Sequence, residues 1–192
     1  MDEHTPHSPP AGGPGPATNR ELGVVNAAIA AIGARVTGRT RLGVFATLGR
    51  ARRLFRAWLV YGAMMMMPFG YLSRRETELI ILRVAHKRDS AYEEDQHRGL
   101  ARRAGLTDAE IEAVTSPEHG FTGRRLVLLD AADELVDTRS LSPGTWARLR
   151  GELSERDQVA FVMLVTNYDG LATALDVLGV PVDPPREAQR KP

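Results

Sequence analysis

Three ionisable side chains stand at spacings that suit proton transfer. Glu93 and His97 are separated by one helical turn, so a helix presents both on one face. Glu78 opens an earlier apolar run that is typical of a buried helix. Two such helices joined by a short link pack antiparallel or steeply crossed, so that a carboxylate of one faces the imidazole of the other. Because an imidazole beside carboxylates exchanges protons near neutral pH, this pattern predicts general acid/base chemistry.

Spacing alone leaves a second interpretation open. A glutamate and a histidine one turn apart are common on solvated helix faces, and this stretch carries further charges at Glu94, Asp95 and Arg98. From the pattern by itself, the pair is either a proton-transfer site or part of a charged surface.

Residue patterns also predict where the helices carrying these groups begin. Apolar residues of 79–85 cover nearly every helical face, and helix formers rather than turn residues frame the run, which favours a buried helix over a strand. Three Ser/Thr-x-x-Glu patterns typical of capping boxes precede helical stretches: Ser73 with Glu76, Ser90 with Glu93, and Thr107 with Glu110. Gly105 is expected to end the second of these helices.

The remaining apolar residues recur at helical spacing, and no clean alternation predicts a strand, so we expect an all-α fold. Further helices are expected over residues 19–31, 40–62, 121–138, 143–149 and 155–178, with Gly33 and Gly38 breaking the first. The acidic side of 121–138 is expected to be solvated. We expect residues 1–18 to be a disordered Pro/Gly-rich tail, 19–183 one helical domain, and 184–192 a short tail.

Composition limits the partners and cofactors to expect. The 192 residues carry 25 basic and 24 acidic side chains, a net charge of +1, which predicts neither a nucleic-acid nor a membrane partner. Residues 100–108 resemble the middle of a helix-turn-helix, but the helix that follows carries only acids, which DNA phosphates would repel. The five histidines lack metal-site spacing and there is no cysteine, so we expect no metal site. No cofactor is expected either. The lack of cysteine leaves the redox compartment open, and the expected location is the cytoplasm.

Three motifs in residues 75–111 occur together in a known family. They are Arg-Glu-x-Glu-Leu-x-x-Leu-Arg-x-Ala at 75–85, Tyr92-Glu93 followed by His97, and Ala-Gly-Leu-Thr-x-x-Glu-Ile at 104–111. The chain, over roughly residues 54–181, resembles the carboxymuconolactone decarboxylase family, which includes the AhpD-like alkylhydroperoxidases. The resemblance implies an AhpD-like helical domain packed around a central pair of motif helices, and homo-oligomers that are trimers or larger rings such as hexamers.

One departure from the family pattern bears on the chemistry. The peroxidase branch places Cys-x-x-Cys-x-x-x-His on the second motif helix, and here Ser90 and Glu93 occupy the two cysteine positions. Thiol-based peroxide reduction needs a thiolate and a resolving partner, which neither residue supplies. Glu78 and His97 match the family's proton-relay positions. The resemblance therefore implies a cysteine-free member that keeps the relay without the redox groups.

These features together predict an enzyme that carries out decarboxylation, lactone or isomerisation chemistry on a small organic substrate. His97 is the expected general acid/base, and Glu78 orients it or shares its proton. Glu93 is expected to tune the pKa of His97, and Tyr92 to supply a hydroxyl. Two alternatives remain, a non-catalytic oligomeric scaffold or binding relative, and a peroxidase relative that borrows a thiol from a partner.

Three further residues are expected to bind the substrate. Met66 belongs to four consecutive methionines in the apolar stretch 58–72, which either packs in a core or between subunits, or forms an apolar pocket wall leading to Glu78. Ser90 lies one turn before Glu93. Tyr168 follows Asn167, and in the family such a pair packs beside the motif helices.

Overall fold

The computed structural model describes residues 13–66 and 70–184, and the regular structure within them is helical. This confirms the predicted all-α fold. The helices are α1 (Asn19–Thr37), α2 (Gly43–Leu48), α3 (Arg52–Met65), α4 (Arg74–Lys87), α5 (Ala91–Arg103), α6 (Asp108–Val114), α7 (Gly123–Thr138), α8 (Pro143–Glu152) and α9 (Glu155–Val177). Parts of three expected segments lie outside the described residues, namely 1–12 and 185–192 of the tails and 67–69 of the apolar stretch.

The described residues divide into two compact units. The smaller comprises the residues up to Arg56 together with those from Ala174 onward, and the larger comprises Ala57–Thr173. All the residues predicted to form the site, from Met66 to Tyr168, belong to the larger unit.

In the smaller unit, the predicted break of the first helix at Gly33 is wrong. α1 continues through Gly33 and ends at Gly38, which caps it in the left-handed conformation. A Cβ on Gly33 would lie 2.7 Å from the Phe45 ring, so this glycine permits close packing of α1 on α2 instead of ending the helix. The kink in α1 falls earlier, at Gly23, whose φ of 73° favours glycine.

The predicted single helix over 40–62 is also interrupted in the structure. α2 ends at Leu48 and α3 starts at Arg52, because the intervening Gly49 approaches another helix closely. A Cβ at Gly49 would lie 2.4 Å from Leu22 of α1, and the side chain of Asn26 donates to the Gly49 carbonyl at 3.3 Å. That bond satisfies a carbonyl exposed by the break.

The expected disorder of residues 1–18 stays a prediction, and the structure gives contacts for residues 13–18 alone. Ala17 is buried, its N–H donates to the Ala46 carbonyl at 3.0 Å, and its own carbonyl accepts from Arg41. Arg50 donates to the Gly15 carbonyl at 3.1 Å. Residues distant in sequence form hydrogen bonds with this segment, which has few apolar side chains. Amino-acid composition cannot predict such bonds.

In the larger unit, α4 is the central helix. Its residues from Thr77 to Ala85 are all buried, as the apolar run predicted. One face joins a cluster with α7, α8 and α9, and the other joins a second cluster with α5, α6 and α7. Each fully buried Leu or Ile in these clusters contributes about 1.5–3 kcal/mol relative to an exposed one, so burial on all sides fixes the position of α4.

The acidic side of α7 is solvated only in part, with Asp137 exposed and Asp133 half-buried. Asp133 pairs with Arg83 and Asp137 with Lys87, both from α4. Glu134 accepts hydrogen bonds from the Ser142 N–H and the Thr145 hydroxyl at the start of α8. These acids are arranged for pairing with neighbouring helices, which a single-helix pattern cannot reveal. Within the part of the chain that the structure describes, no helix has the length and apolarity needed to cross a membrane.

Candidate active site

The short link between α4 and α5 determines which side chains meet. Asp89 adopts the left-handed region at φ 50°, which Asp tolerates better than most residues, and the Ser90 N–H donates to the Ala85 carbonyl at 2.9 Å. The chain reverses there, and α5 packs against α4. A capping box at Ser73 and Glu76 sets the start of α4, so that Glu78 lies in its first buried turn.

Glu78 and His97 meet across this helix pair. Glu78 is 0% exposed, and its Oε2 lies 2.7 Å from His97 Nδ1. Arg74, one turn earlier on α4, forms an ion pair with the other carboxylate oxygen, Oε1. Because an ionised carboxylate only accepts hydrogen bonds, Nδ1 of His97 carries the proton in this contact. His97 Nε2 is then the nitrogen that can take or deliver a proton.

Tyr168 of α9 packs on the imidazole. The two ring centroids are 5.1 Å apart and the rings stand at 87°, an edge-to-face contact that fixes the plane of His97. Burial raises the pKa of Tyr168 well above its usual value, and the charges of Glu78 and Glu93 raise it further. The tyrosine therefore keeps its proton at neutral pH, and both carboxyl groups lie within electrostatic range of it.

Glu93 lies on the same face of α5 as His97 and is 3% exposed. Neither of its carboxyl oxygens has a hydrogen-bond partner within the described residues. Burial raises the pKa of Glu93 to about 8, and the charge of Asp169 adds to this rise. The Ser90 hydroxyl opposes the rise without forming a hydrogen bond of normal geometry. The carboxyl form of Glu93 is therefore favoured at neutral pH, and its expected effect on the pKa of His97 stays a prediction.

The capping box predicted at Ser90 and Glu93 is wrong. Ser90 is the N-cap residue of α5, but its side chain makes no capping hydrogen bond. The reason is that the Glu93 side chain turns into the interior and does not reach back to the N-cap. Ser90 is half-buried beside Glu93.

The other predicted site residues occupy different positions. Met66 is half-buried, and its sulfur lies 2.5 Å from the Arg74 guanidinium. Because Arg74 also pairs with Glu78, Arg74 links Met66 to Glu78. Tyr92 is buried in the first turn of α5. The sequence reasoning missed Arg74 and Asp169. Arg74 had a signal, its one-turn spacing from Glu78, whereas Asp169 had none, because α9 brings it to the site from far along the chain.

A cavity of about 230 Å³ lies between α7 and α9. It is lined by Leu135, Val136, Arg139, Val165, Thr166 and Asp169. Glu78, Glu93 and His97 do not line it. Asp169 lines this cavity, and its charge also raises the pKa of Glu93 in the buried site.

Metal-binding side chains do not cluster in the part of the chain that the structure describes. No group of three or more His, Cys, Asp or Glu residues there is arranged to hold a metal ion. The interacting groups at the site are instead one imidazole, two carboxyls and a phenol, a set suited to moving protons.

Comparison with known proteins finds a family model that matches part of the chain. Residues 52–132 match the carboxymuconolactone decarboxylase family model, and this segment belongs to that family, as the sequence motifs indicated. No curated protein matches the chain. The predicted domain limits, 19–183, extend well beyond the matched segment and stay a prediction.

A solved structure shares the fold. It is the AhpD core of an uncharacterized peroxidase-related protein from Ralstonia eutropha JMP134, with a TM-score of 0.70 and 18% sequence identity. The match covers 82% of this chain and 84% of that one. At this identity the likeness establishes the AhpD-like fold and carries no information on the reaction. The present chain has no cysteine, so thiol chemistry has no residue here to perform it.

Proposed function

We propose that the protein is an enzyme of the carboxymuconolactone decarboxylase family that performs acid/base chemistry on a small organic substrate without redox cysteines. The single observation that carries this proposal is the buried Glu78–His97 contact of 2.7 Å. A fully buried carboxylate paired with an imidazole and an arginine is costly to build and suits a proton relay better than a structural ion pair.

In this mechanism His97 is the general acid/base. Glu78 accepts the Nδ1 hydrogen, which holds the tautomer in which Nε2 exchanges protons with the substrate, and it stabilises the imidazolium when one forms. Arg74 forms an ion pair with the second oxygen of Glu78. Tyr168 restricts rotation of the ring. Glu78, Arg74 and Tyr168 are thus positioning residues, and His97 is the catalytic one.

The reaction class that fits is proton transfer at a carbon next to a carbonyl, as in isomerisation or in decarboxylation of a 3-oxo acid. A C–H bond or a C–COO bond at that carbon breaks, its electron pair forms a carbon–carbon double bond, and the carbonyl π pair moves onto oxygen. His97 removes the proton, or delivers one to carbon after carbon dioxide has left. In lactone opening, His97 takes a proton from the attacking water and returns it to the ring oxygen as the acyl C–O bond breaks. None of these steps needs an electron acceptor, which agrees with a chain that has no cysteine.

The test is a substrate panel of pyruvate, acetoacetate and γ-butyrolactone. Deuterium incorporation from heavy water, read by NMR, reports proton transfer at carbon on any compound of the panel. Release of carbon dioxide reports decarboxylation of acetoacetate, and loss of the ester signal reports opening of γ-butyrolactone. His97→Gln should abolish the rate, whereas His119→Gln, a histidine whose side chain is equally hidden but lies near Asp130, should keep it. Equal rates in wild type and His97→Gln would refute the assignment.

We also propose that the protein assembles as a homo-oligomer, a trimer or hexamer. Support comes from α3, which exposes Val60, Tyr61 and Met64 along one side, with Val60 63% exposed. Light scattering on the purified chain gives the mass, and Val60→Lys should shift it toward the monomer. A monomeric wild type would contradict this proposal.

The same exposed side chains support the alternative of a non-catalytic scaffold. An oligomer in which no panel compound exchanges protons would favour that alternative over the enzyme. Peroxide consumption by the purified chain is expected to be absent, and cytoplasmic localisation stays a prediction.

A further inference from the structure

Glu93 is the one carboxyl group of the site for which the described residues provide no partner. Both of its oxygens are buried and neither forms a hydrogen bond of normal geometry, although the Ser90 hydroxyl is near enough to oppose the rise of its pKa. Buried polar groups are almost always paired, so an unpaired carboxyl requires a partner that the described chain does not supply. A bound molecule is such a partner.

The groups around Glu93 come from three helices. His97 lies one turn further along α5, Glu78 projects from α4, and Tyr168 and Asp169 belong to α9. The Tyr168 hydroxyl senses the charges of both Glu78 and Glu93, and Tyr168 also packs on the His97 ring. The unpaired carboxyl therefore lies in the same buried constellation as the imidazole and not in a separate part of the core.

The charges nearby determine the protonation state that Glu93 adopts. Glu78 and Asp169 are acids, and no cation among the described residues pairs with Glu93. Two cations in the neighbourhood are committed elsewhere, Arg74 to Glu78 and Arg88 to Asp169. A deeply buried carboxyl among acids is neutral, and a neutral carboxyl has an O–H to donate.

We propose that Glu93 is a protonated carboxylic acid that donates a hydrogen bond to the carbonyl oxygen of the substrate whose proton His97 removes. This inference rests on the proposed function and assigns a second reacting contact to that site. The ligand it selects is a small carbonyl compound, whereas an ionised Glu93 would select a cation.

Protons and electron pairs balance within this step. His97 Nε2 takes a proton from the carbon next to the carbonyl, and the C–H electron pair forms a carbon–carbon double bond. The carbonyl electron pair moves onto oxygen, where the Glu93 O–H stabilises the developing negative charge without giving up its proton. Reprotonation on carbon by the imidazolium reverses the shift.

Infrared spectroscopy detects this carboxylic acid directly, because its C=O stretch is separate from carboxylate bands. At pH 6, Glu93→Gln should remove one such band. Glu94→Gln is the matched control on the next residue, a carboxylate paired with Arg98, and it should remove none. If Glu93→Gln removes no carboxylic-acid band, Glu93 is ionised and the proposal is overturned.

Ligand contact is tested on the same band. Saturating pyruvate, acetoacetate or γ-butyrolactone should shift it in wild type, and a band that none of the three shifts overturns the donor role. In the exchange assay, the rate of Glu93→Leu should fall about 100- to 1,000-fold below that of wild type. Glu93→Gln keeps an N–H donor, so its rate should be at least tenfold higher than that of Glu93→Leu. Equal losses in the two variants would also overturn it.

These outcomes separate the two proposals. If His97→Gln exchanges as fast as wild type while the Glu93 band still shifts with ligand, the acid/base function fails and the ligand contact of Glu93 stands. If His97→Gln is inactive but the band is absent, the function stands and the donor role of Glu93 fails.

Discussion

Two buried ionisable groups on neighbouring helices, Arg83 on α4 and Glu93 on α5, have opposite surroundings. Arg83 is 4% exposed, and its Nε and Nη2 donate to the two carboxylate oxygens of Asp133 at 2.7 and 2.6 Å. Its N–H groups also reach three backbone carbonyls, those of Val114, Ser116 and Pro117. Glu93 is equally buried, and within the described residues neither of its oxygens has a partner.

The contrast separates a structural ion from a functional one. Arg83 joins α4 to α7 and to the end of α6 with both carboxylate oxygens and three carbonyls as acceptors, so folding alone explains its burial. The unpaired carboxyl of Glu93 destabilises the fold, and its position is explained by a molecule that binds there. The completeness of the hydrogen bonding, more than burial or charge, distinguishes the two.

The largest effect is expected when Glu78, which is linked to both Arg74 and His97, is changed. Glu78→Gln replaces the carboxylate acceptor of His97 by a neutral amide oxygen, which cannot stabilise an imidazolium by its charge, and the exchange rate should fall by about 100- to 10,000-fold. The Nδ1–H resonance of His97 in the proton NMR spectrum should also lose its strongly hydrogen-bonded position, which a purely structural role would not change. The double variant with His97→Gln should be no slower than either single variant, because the two act as a unit.

The next effect tests the structural side of the comparison. Arg83→Met leaves Asp133 and three carbonyls unpaired, and the free energy of unfolding should fall by about 3–5 kcal/mol in denaturant titration. The control is Arg98→Met, because Arg98 also pairs with two acids but at the surface, so that the loss should be below about 1 kcal/mol. Folded Arg83→Met should keep the wild-type exchange rate. A similar loss in both variants would show that burial of Arg83 adds nothing.

A pH titration of stability tests the protonated state of Glu93. Its pKa is about 8 in the folded chain and 4.5 normally, so the folded state binds the extra proton. The stabilising contribution is complete below pH 4.5 and is lost as pH rises through about 8, at no more than about 1.4 kcal/mol per pH unit. In Glu93→Leu this slope should disappear, and the variant should be more stable than wild type at pH 8. An unchanged slope would assign the titration to other groups.

The smallest effect compares the starts of the two motif helices. Ser73→Ala removes a capping box and should cost about 1 kcal/mol of stability, read from thermal unfolding. Ser90→Ala should cost only a few tenths, because the Ser90 side chain makes no capping bond. Equal costs would mean that Ser90 caps α5 in solution after all.

Local patterns were sufficient for much of the helical framework. The box at Ser73 and Glu76, the box at Thr107 and Glu110, and the buried run of α4 are all confirmed, because each depends on neighbours within one or two turns. Errors arose where a helix met a distant segment. Gly33 does not break α1, since the glycine accommodates Phe45, and Gly49 does interrupt the predicted second helix, since it accommodates Leu22.

The candidate site divides in the same way. Sequence spacing was enough to identify Glu78 and His97 as candidates for proton transfer and to predict that their helices pack together. The family motifs and the absence of cysteine likewise followed from the printed residues alone. The pairing of Arg74 with Glu78 was within reach of the same reasoning, because the two residues are one turn apart.

Tertiary structure alone decided the state of Glu93 and the identity of its neighbours. From the sequence alone, Glu93 is expected to be a charged residue near the start of a helix. Its neutral form follows from burial and from Asp169, which α9 brings close although it lies far along the chain. Sequence alone does not show that Arg83 is a satisfied ion and Glu93 an unsatisfied acid, because hydrogen bonding and dielectric environment depend on contacts in space that no spacing along the chain encodes.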